Sequence, residues 1–221
     1  MTNRRLVGEA FLVLAALLAL TKALEAFRSI YVIRELKPLV FAISFVYVPI
    51  FVLRHERIRP DFLDRDIRGY VTSSIAFLVA AVIVFPLFFL AAHVWQVVVV
   101  GLQGPHLTLP PSAASLLLYN MVMIAFPEEF LFRGYLQSIL NSAFPKKWRV
   151  LGAQLGPSWP ITAAVFAVSH SIISFEWWHF AIFFPALLFG YLRERTGSIT
   201  ASILFHGLSN FVMEVIGASY S

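Results

Sequence analysis

Apolar residues along this chain arrive in long blocks, with polar positions concentrated in the gaps between them. A block of about 17–25 apolar residues crosses a hydrocarbon core of about 30 Å as a helix. Seven blocks predict helices over roughly Leu6–Phe27, Pro38–Leu53, Tyr70–Trp95, Ala113–Leu140, Pro160–Ile173, Trp178–Leu192 and Ser198–Ile216. Glu9, Lys22 and Glu25 interrupt the first block, and the second is short. Seven is therefore the expected count, with six and eight as alternatives. The third block contains Pro86 and stays apolar to Leu102, which predicts a tilt or kink. The fifth and sixth blocks are short and suit helices surrounded by other helices. After the first apolar run come Lys22, Glu25 and Arg28. A secretory signal would have a small-residue cleavage site there, so this segment reads as a retained helix.

Composition sharpens this picture. The chain has 221 residues, 59% hydrophobic and 13% charged, against about 45–50% and about 25% in an ordinary soluble domain. A soluble fold of this size would leave large apolar patches in water. A soluble globular enzyme, a disordered chain and a nucleic-acid-binding domain are excluded. The expected class is an all-α polytopic transmembrane bundle whose partner is the lipid bilayer. The absence of cysteine excludes disulfides, Cys-ligated metal and a Cys nucleophile.

The net charge is +5, and its distribution gives an orientation. With the N-terminus in the cytoplasm, the inside segments hold Arg4, Arg5, Arg54, Arg57, Arg59, Arg65, Arg68, Lys146, Lys147, Arg149, Arg193 and Arg195. The outside segments hold only Arg28, Arg34 and Lys37, and Lys22 and Arg133 lie within spans. Twelve basic residues against three is the asymmetry of the positive-inside rule. Arg54 to Gly69 reads as a mixed-charge inner loop and Gly101 to Ser112 as an outer one.

Ionisable groups inside a span are the informative ones, since each costs about 2.5–3.5 kcal/mol at the bilayer centre on insertion scales. The fourth helix reads Phe126-Pro127-Glu128-Glu129-Phe130-Leu131-Phe132-Arg133. Glu129 and Arg133 are four apart, in the favourable order for a same-face ion pair. Glu128 lies about 100° away around the helix. The expected division is that Glu129 neutralises Arg133 while Glu128 stays available as a base. A purely structural polar seam is the competing reading. The fifth helix carries His170, and the seventh carries His206 and Asn210, four apart on one face. Gly207 and Ser209 allow another helix to approach closely. At about 1.5 Å per residue, Glu128 is about 22 Å from Ala113, His170 about 15 Å from Pro160 and His206 about 12 Å from Ser198. All three sit near the predicted midplane and can share a cavity.

Such a set holds the parts for hydrolysing a peptide bond. A glutamate and a histidine can hold and deprotonate water, while a histidine and an asparagine can donate to a developing oxyanion. Alternatively, Glu128, His170 and His206 could ligate a zinc ion that activates the water. The His-Glu-x-x-His signature is absent. Direct activation by Glu128, with no cofactor, is the preferred expectation.

Glu-Glu-x-x-x-Arg, then Phe-x-x-x-His, then His-x-x-x-Asn, in this order on three helices, resembles the CPBP family of intramembrane endopeptidases (CAAX proteases and bacteriocin-processing enzymes, ABI). Phe189 to Ile199 is similar to that family's last conserved region. The resemblance spans about Met121 to Asn210. It implies that Glu128 and His170 activate water, that His206 and Asn210 form an oxyanion hole, and that Glu129 and Arg133 support the site. It further implies one integral-membrane domain, with N-terminal helices over 1–112 and catalytic-core helices over 113–216. The implied substrate is a membrane-anchored protein or peptide, and the implied location is a bacterial or archaeal inner membrane. A non-catalytic immunity or scaffold protein and a proton-coupled carrier are the rival classes. Paired broken helices and an internal repeat, which mark many carriers, are not detectable. His55, His93, His106 and His179 read as solvated or interfacial, with a weak gating or substrate role for His179.

Overall fold

The computed structural model describes residues 3–146 and 148–220, so Lys147 of the predicted inner loop lies outside the described residues. Seven long helices form a bundle with a single small hairpin among these residues. They are α1 (Asn3–Ala26), α2 (Tyr31–His55), α3 (Ile67–Val100, its last turn π-helical), α4 (Ala113–Ala143), α5 (Ser158–Ile173), α6 (Phe183–Thr196) and α7 (Thr200–Ser219). α1, α2, α3, α4 and α7 are long and apolar enough to cross a membrane, while α5 is a shorter apolar helix. The chain is an integral membrane protein.

Two expected boundaries move. α2 begins at Tyr31 rather than Pro38, because its first turns are polar. Arg34 pairs with Glu35 at 3.2 Å, and Lys37 reaches across to Glu25 of α1, which also holds Arg28 at 2.8 Å. A search for apolar residues misses a helix start that lies beyond the hydrocarbon. The sixth block divides into a 3₁₀ turn (Trp177–Ile182) and α6.

Between α4 and α5 the chain makes an antiparallel hairpin, β1 (Trp148–Val150) and β2 (Ala153–Leu155), with Arg149 opposite Gln154. Leu151 (φ 43°) and Gly152 (φ 84°) form its turn.

Three tethers fix the helices around the centre. Gln137 and Asn141 of α4 donate to Glu194 of α6 at 2.8 and 2.7 Å, joined by Lys146. The loop between α2 and α3 is more than a solvated connector. Phe62 is buried against Phe130, its carbonyl accepts from Ile199 N at 2.8 Å, and it leaves no room for a Cβ at Gly134. At the far end, the segment after α3 is stitched to the end of α7. His106 N donates to the Ser219 carbonyl at 2.8 Å, Thr108 N donates to Ser219 Oγ at 3.0 Å, and His93 bonds Tyr220 at 2.9 Å.

The buried core sits where α4, α5, α6 and α7 meet, with Phe132, Phe166, Phe189 and Phe205 at its centre. Met121 on α4 fills the space beside Gly207 that a side chain would need. This is the close approach that the small residue predicts.

Candidate active site

α4 departs from α-helical winding on both sides of its acidic pair. Asn120–Ala125 and Phe130–Leu136 are π-helical, and Phe126–Glu129 between them is α-helical. Such widened turns recur at functional positions because they re-aim side chains.

Glu129 points into the bundle and is fully buried, as is Arg133. Arg133 Nη1 donates to Glu129 Oε1 at 2.9 Å, and Nη2 donates to the Ala186 carbonyl of α6 at 3.2 Å. The guanidinium also lies 4.2 Å from the ring centre of Phe166 and 5.0 Å from that of Phe189. A buried ion pair repays desolvation only with good geometry and further hydrogen bonds. Here the carbonyl and two aromatic faces supply those extra interactions.

His206 joins this pair from α7. Its Nδ1 is 2.9 Å from Glu129 Oε1, and its ring stacks on Phe189 at 4.8 Å and 14°. Since the carboxylate accepts, Nδ1 is the protonated nitrogen. Nε2 is then directed to the other carboxylate, 3.7 Å from Glu128 Oε2. That separation is an electrostatic contact and too long for a hydrogen bond.

Glu128 occupies a different setting from its neighbour. Its side chain is 12% exposed, and its Oε2 has no hydrogen-bond partner among the described residues. It lines two cavities. The smaller, about 140 Å³, is shared with Phe132, Ser169, His170, Ser174 and His179. The larger, about 450 Å³, lies among α1, α2 and α4 and opens beside Arg28, Arg34 and Lys37. His170 thus shares a cavity with Glu128. Its Nδ1 is 2.9 Å from the Phe166 carbonyl one turn earlier. A carbonyl only accepts, so Nδ1 carries the proton and Nε2 of the neutral ring has the free lone pair.

The structure thus brings Glu128, Glu129, Arg133 and His206 into direct contact, with His170 across the small cavity. Asn210 is not brought in. It lies one turn beyond His206, partly exposed, and lines neither cavity. Among the described residues its side chain has no hydrogen-bond partner. Also among them, no three His, Asp or Glu side chains converge at metal-ligating distance. The donors Glu128, His170 and His206 do not fit a zinc ion in this arrangement.

Sequence reasoning gave the aromatic partners no role. Phe189 under His206 and Phe166 under Arg133 form the shelf on which the charged groups rest. Spacing alone cannot show that residues on α5 and α6 share one guanidinium. His179, which from sequence reads as interfacial with a weak gating or substrate role, lines the small cavity with its ring 6.1 Å from that of His170.

Residues 110–212 match a family model described as Type II CAAX prenyl endopeptidase Rce1-like. The matched range starts just before α4 and ends beyond Asn210, so it contains every residue of the site. Neither a curated protein nor a solved structure matches the chain.

Proposed function

We propose, from the likeness of residues 110–212 to the Rce1-like type II CAAX prenyl endopeptidases, that the chain is an intramembrane peptide hydrolase of the CPBP family, a glutamic-type endopeptidase cutting a membrane-anchored protein or peptide. The observation that carries this reading is the contrast within the acidic pair. Glu129 Oε1 takes hydrogen bonds from both Arg133 and His206 and Glu129 lines neither cavity, so its likewise unpartnered Oε2 is shut inside the bundle, whereas the Glu128 carboxylate accepts no hydrogen bond among the described residues and lines a cavity shared with His170.

In the proposed reaction, a water sits between Glu128 Oε2 and His170 Nε2. Glu128 takes its proton as the water oxygen attacks the scissile carbonyl carbon. The carbonyl electron pair moves onto oxygen, and His206 and Asn210 donate hydrogen bonds to that oxyanion. His206 Nδ1–H is committed to Glu129, so Nε2 donates only when the ring carries both protons. Asn210 has to turn inward when substrate binds, since apo contacts at such sites often tighten only in the complex. Collapse of the tetrahedral species breaks the C–N bond, and the leaving amine takes the proton back from Glu128.

The donor geometry supports direct activation by Glu128 over a zinc-bound water, and no step passes through a metal. The loop charges support a cytoplasmic N-terminus. The test uses proteoliposomes holding the full chain and a membrane-anchored reporter peptide. Glu128→Gln lowers kcat by about 10²–10⁴-fold, the range of general-base catalysis, and His170→Ala and His206→Ala also abolish cleavage. Activity survives strong chelators. Normal turnover by Glu128→Gln removes the proposed base and favours the non-catalytic class, while loss of activity together with a stoichiometric zinc favours the metal.

A further inference from the structure

Lys22 has no part in the reaction as written, yet it stands in the membrane-crossing stretch of α1. An ammonium there needs a partner. Its Nζ donates to the backbone carbonyl of Ile173 at 2.7 Å. Ile173 is the last residue of α5. The final carbonyls of a helix lack partners within it, and the negative end of its dipole favours a cation. Lys22 therefore caps α5 from a different helix.

The location of this cap gives it consequence. His170 is one turn before Ile173, in the part of a helix that frays first. Its ring is held to its own helix by the Phe166 carbonyl, so the ring travels with α5. Glu128 belongs to α4. The separation of the two depends on where the end of α5 is held, and α1 packs against both α5 and the Gln137–Ala143 end of α4. Ile173 also lines both cavities, and Thr21, next to Lys22, lines the larger one.

We propose that Lys22 is a positioning residue: its ammonium clamps the last turn of α5 to α1 and so sets His170 at working distance from Glu128. This inference rests on the Glu128–His170 reaction proposed above.

The test uses the full chain in proteoliposomes with the same reporter peptide. Lys22→Met keeps an unbranched side chain one atom shorter and removes the donor. A shift of about 1 Å in a reacting group is enough to lower kcat by about 10- to 100-fold, and that loss is expected here with KM changed by less than about twofold, since uniform substrate binding is untouched. Lys22→Arg restores the donor and the activity. Amide hydrogen exchange across residues 168–176 rises in Lys22→Met and returns to the wild-type pattern in Lys22→Arg. If Lys22→Met does not fold, Lys22→Gln, a neutral donor of the same reach as methionine, is read in the same way and is expected to fall between Lys22→Met and Lys22→Arg. The clamp is overturned if removing the ammonium leaves kcat intact, if only KM changes, or if exchange at the end of α5 does not rise. Glu128→Gln is run in parallel. Persisting cleavage there defeats the reaction proposal, while the exchange comparison still decides the clamp.

Discussion

α3 and α7 are both long apolar helices, yet they relate to the bundle in opposite ways. α3 has the highest mean hydropathy of the five candidate spans, and only 11% of its most apolar stretch is buried, whereas 44% of that of α7 is buried. In water the most apolar helix would be the most hidden. Lipid reverses this, because an acyl chain is as good a neighbour as a leucine. Burial inside this protein is instead assigned to helices carrying groups that lipid cannot satisfy: Glu128, Glu129 and Arg133 on α4, and Ser202 and His206 on α7. Apolar content marks the outside of the bundle, and interrupted apolar content marks the working interior.

This comparison can be strained from both sides. The largest stability effect is expected inside. Glu129→Ala leaves Arg133 fully buried without its carboxylate, a loss of about 3–5 kcal/mol, read as a fall in the denaturation midpoint in detergent. Glu128→Gln, one residue away, should barely move that midpoint while removing activity. Equal destabilisation by the two would erase the division of labour between the carboxylates. Next comes the lipid face. Val82 on α3 is 74% exposed. Val82→Lys should cost about 2.5–3.5 kcal/mol of insertion free energy, measured as the inserted fraction of newly made protein, whereas Val82→Leu should be neutral within about 0.5 kcal/mol. If Val82→Lys inserts normally, α3 does not face lipid.

A subtler effect is expected at Glu194, past the apolar stretch of α6. Burial works to raise its carboxyl pKa, but Arg193 and the bonds from Lys146, Asn141 and Gln137 outweigh burial and hold it below the usual carboxylate range. The unfolded chain then binds this proton more readily than the folded one. The stabilisation is complete above the ordinary glutamate pKa of about 4.3 and is lost as pH falls through the lower folded value. Acid unfolding curves of wild type and Glu194→Gln should converge at low pH and separate as pH rises. Parallel curves would mean that this α4–α6 tether contributes nothing.

What was legible in the sequence follows from the same reversal. Five of the seven helices could be read because spanning lengths are set by the bilayer, and α5 and α6 could be read as shorter apolar blocks between polar gaps. The Glu129–Arg133 pair could be read because a fixed spacing of four is a property of one helix. The aromatic shelf of Phe166 and Phe189 was not legible, since it depends on α5 and α6 meeting over a residue of α4. Nor was the tuck of Phe62 beneath Gly134, which lies in a loop whose charges pointed to solvent. The spacing of His206 and Asn210 promised a shared face, and they share one, but a face about 100° wide does not decide which member reaches the cavity. Lys22 read as an interruption of α1, because its partner is a backbone carbonyl, which leaves no trace in side-chain spacing.

The stitching of His106 and Thr108 to Ser219, and of His93 to Tyr220, has a bearing on where this protein can be cut. The match to the family model begins at residue 110, after His93, His106 and Thr108. A recombinant fragment starting there would strip the far end of α7 of its fastenings and bare the flank that α3 covers. The edge of the family match and the edge of the packed unit therefore fall at different places in this chain.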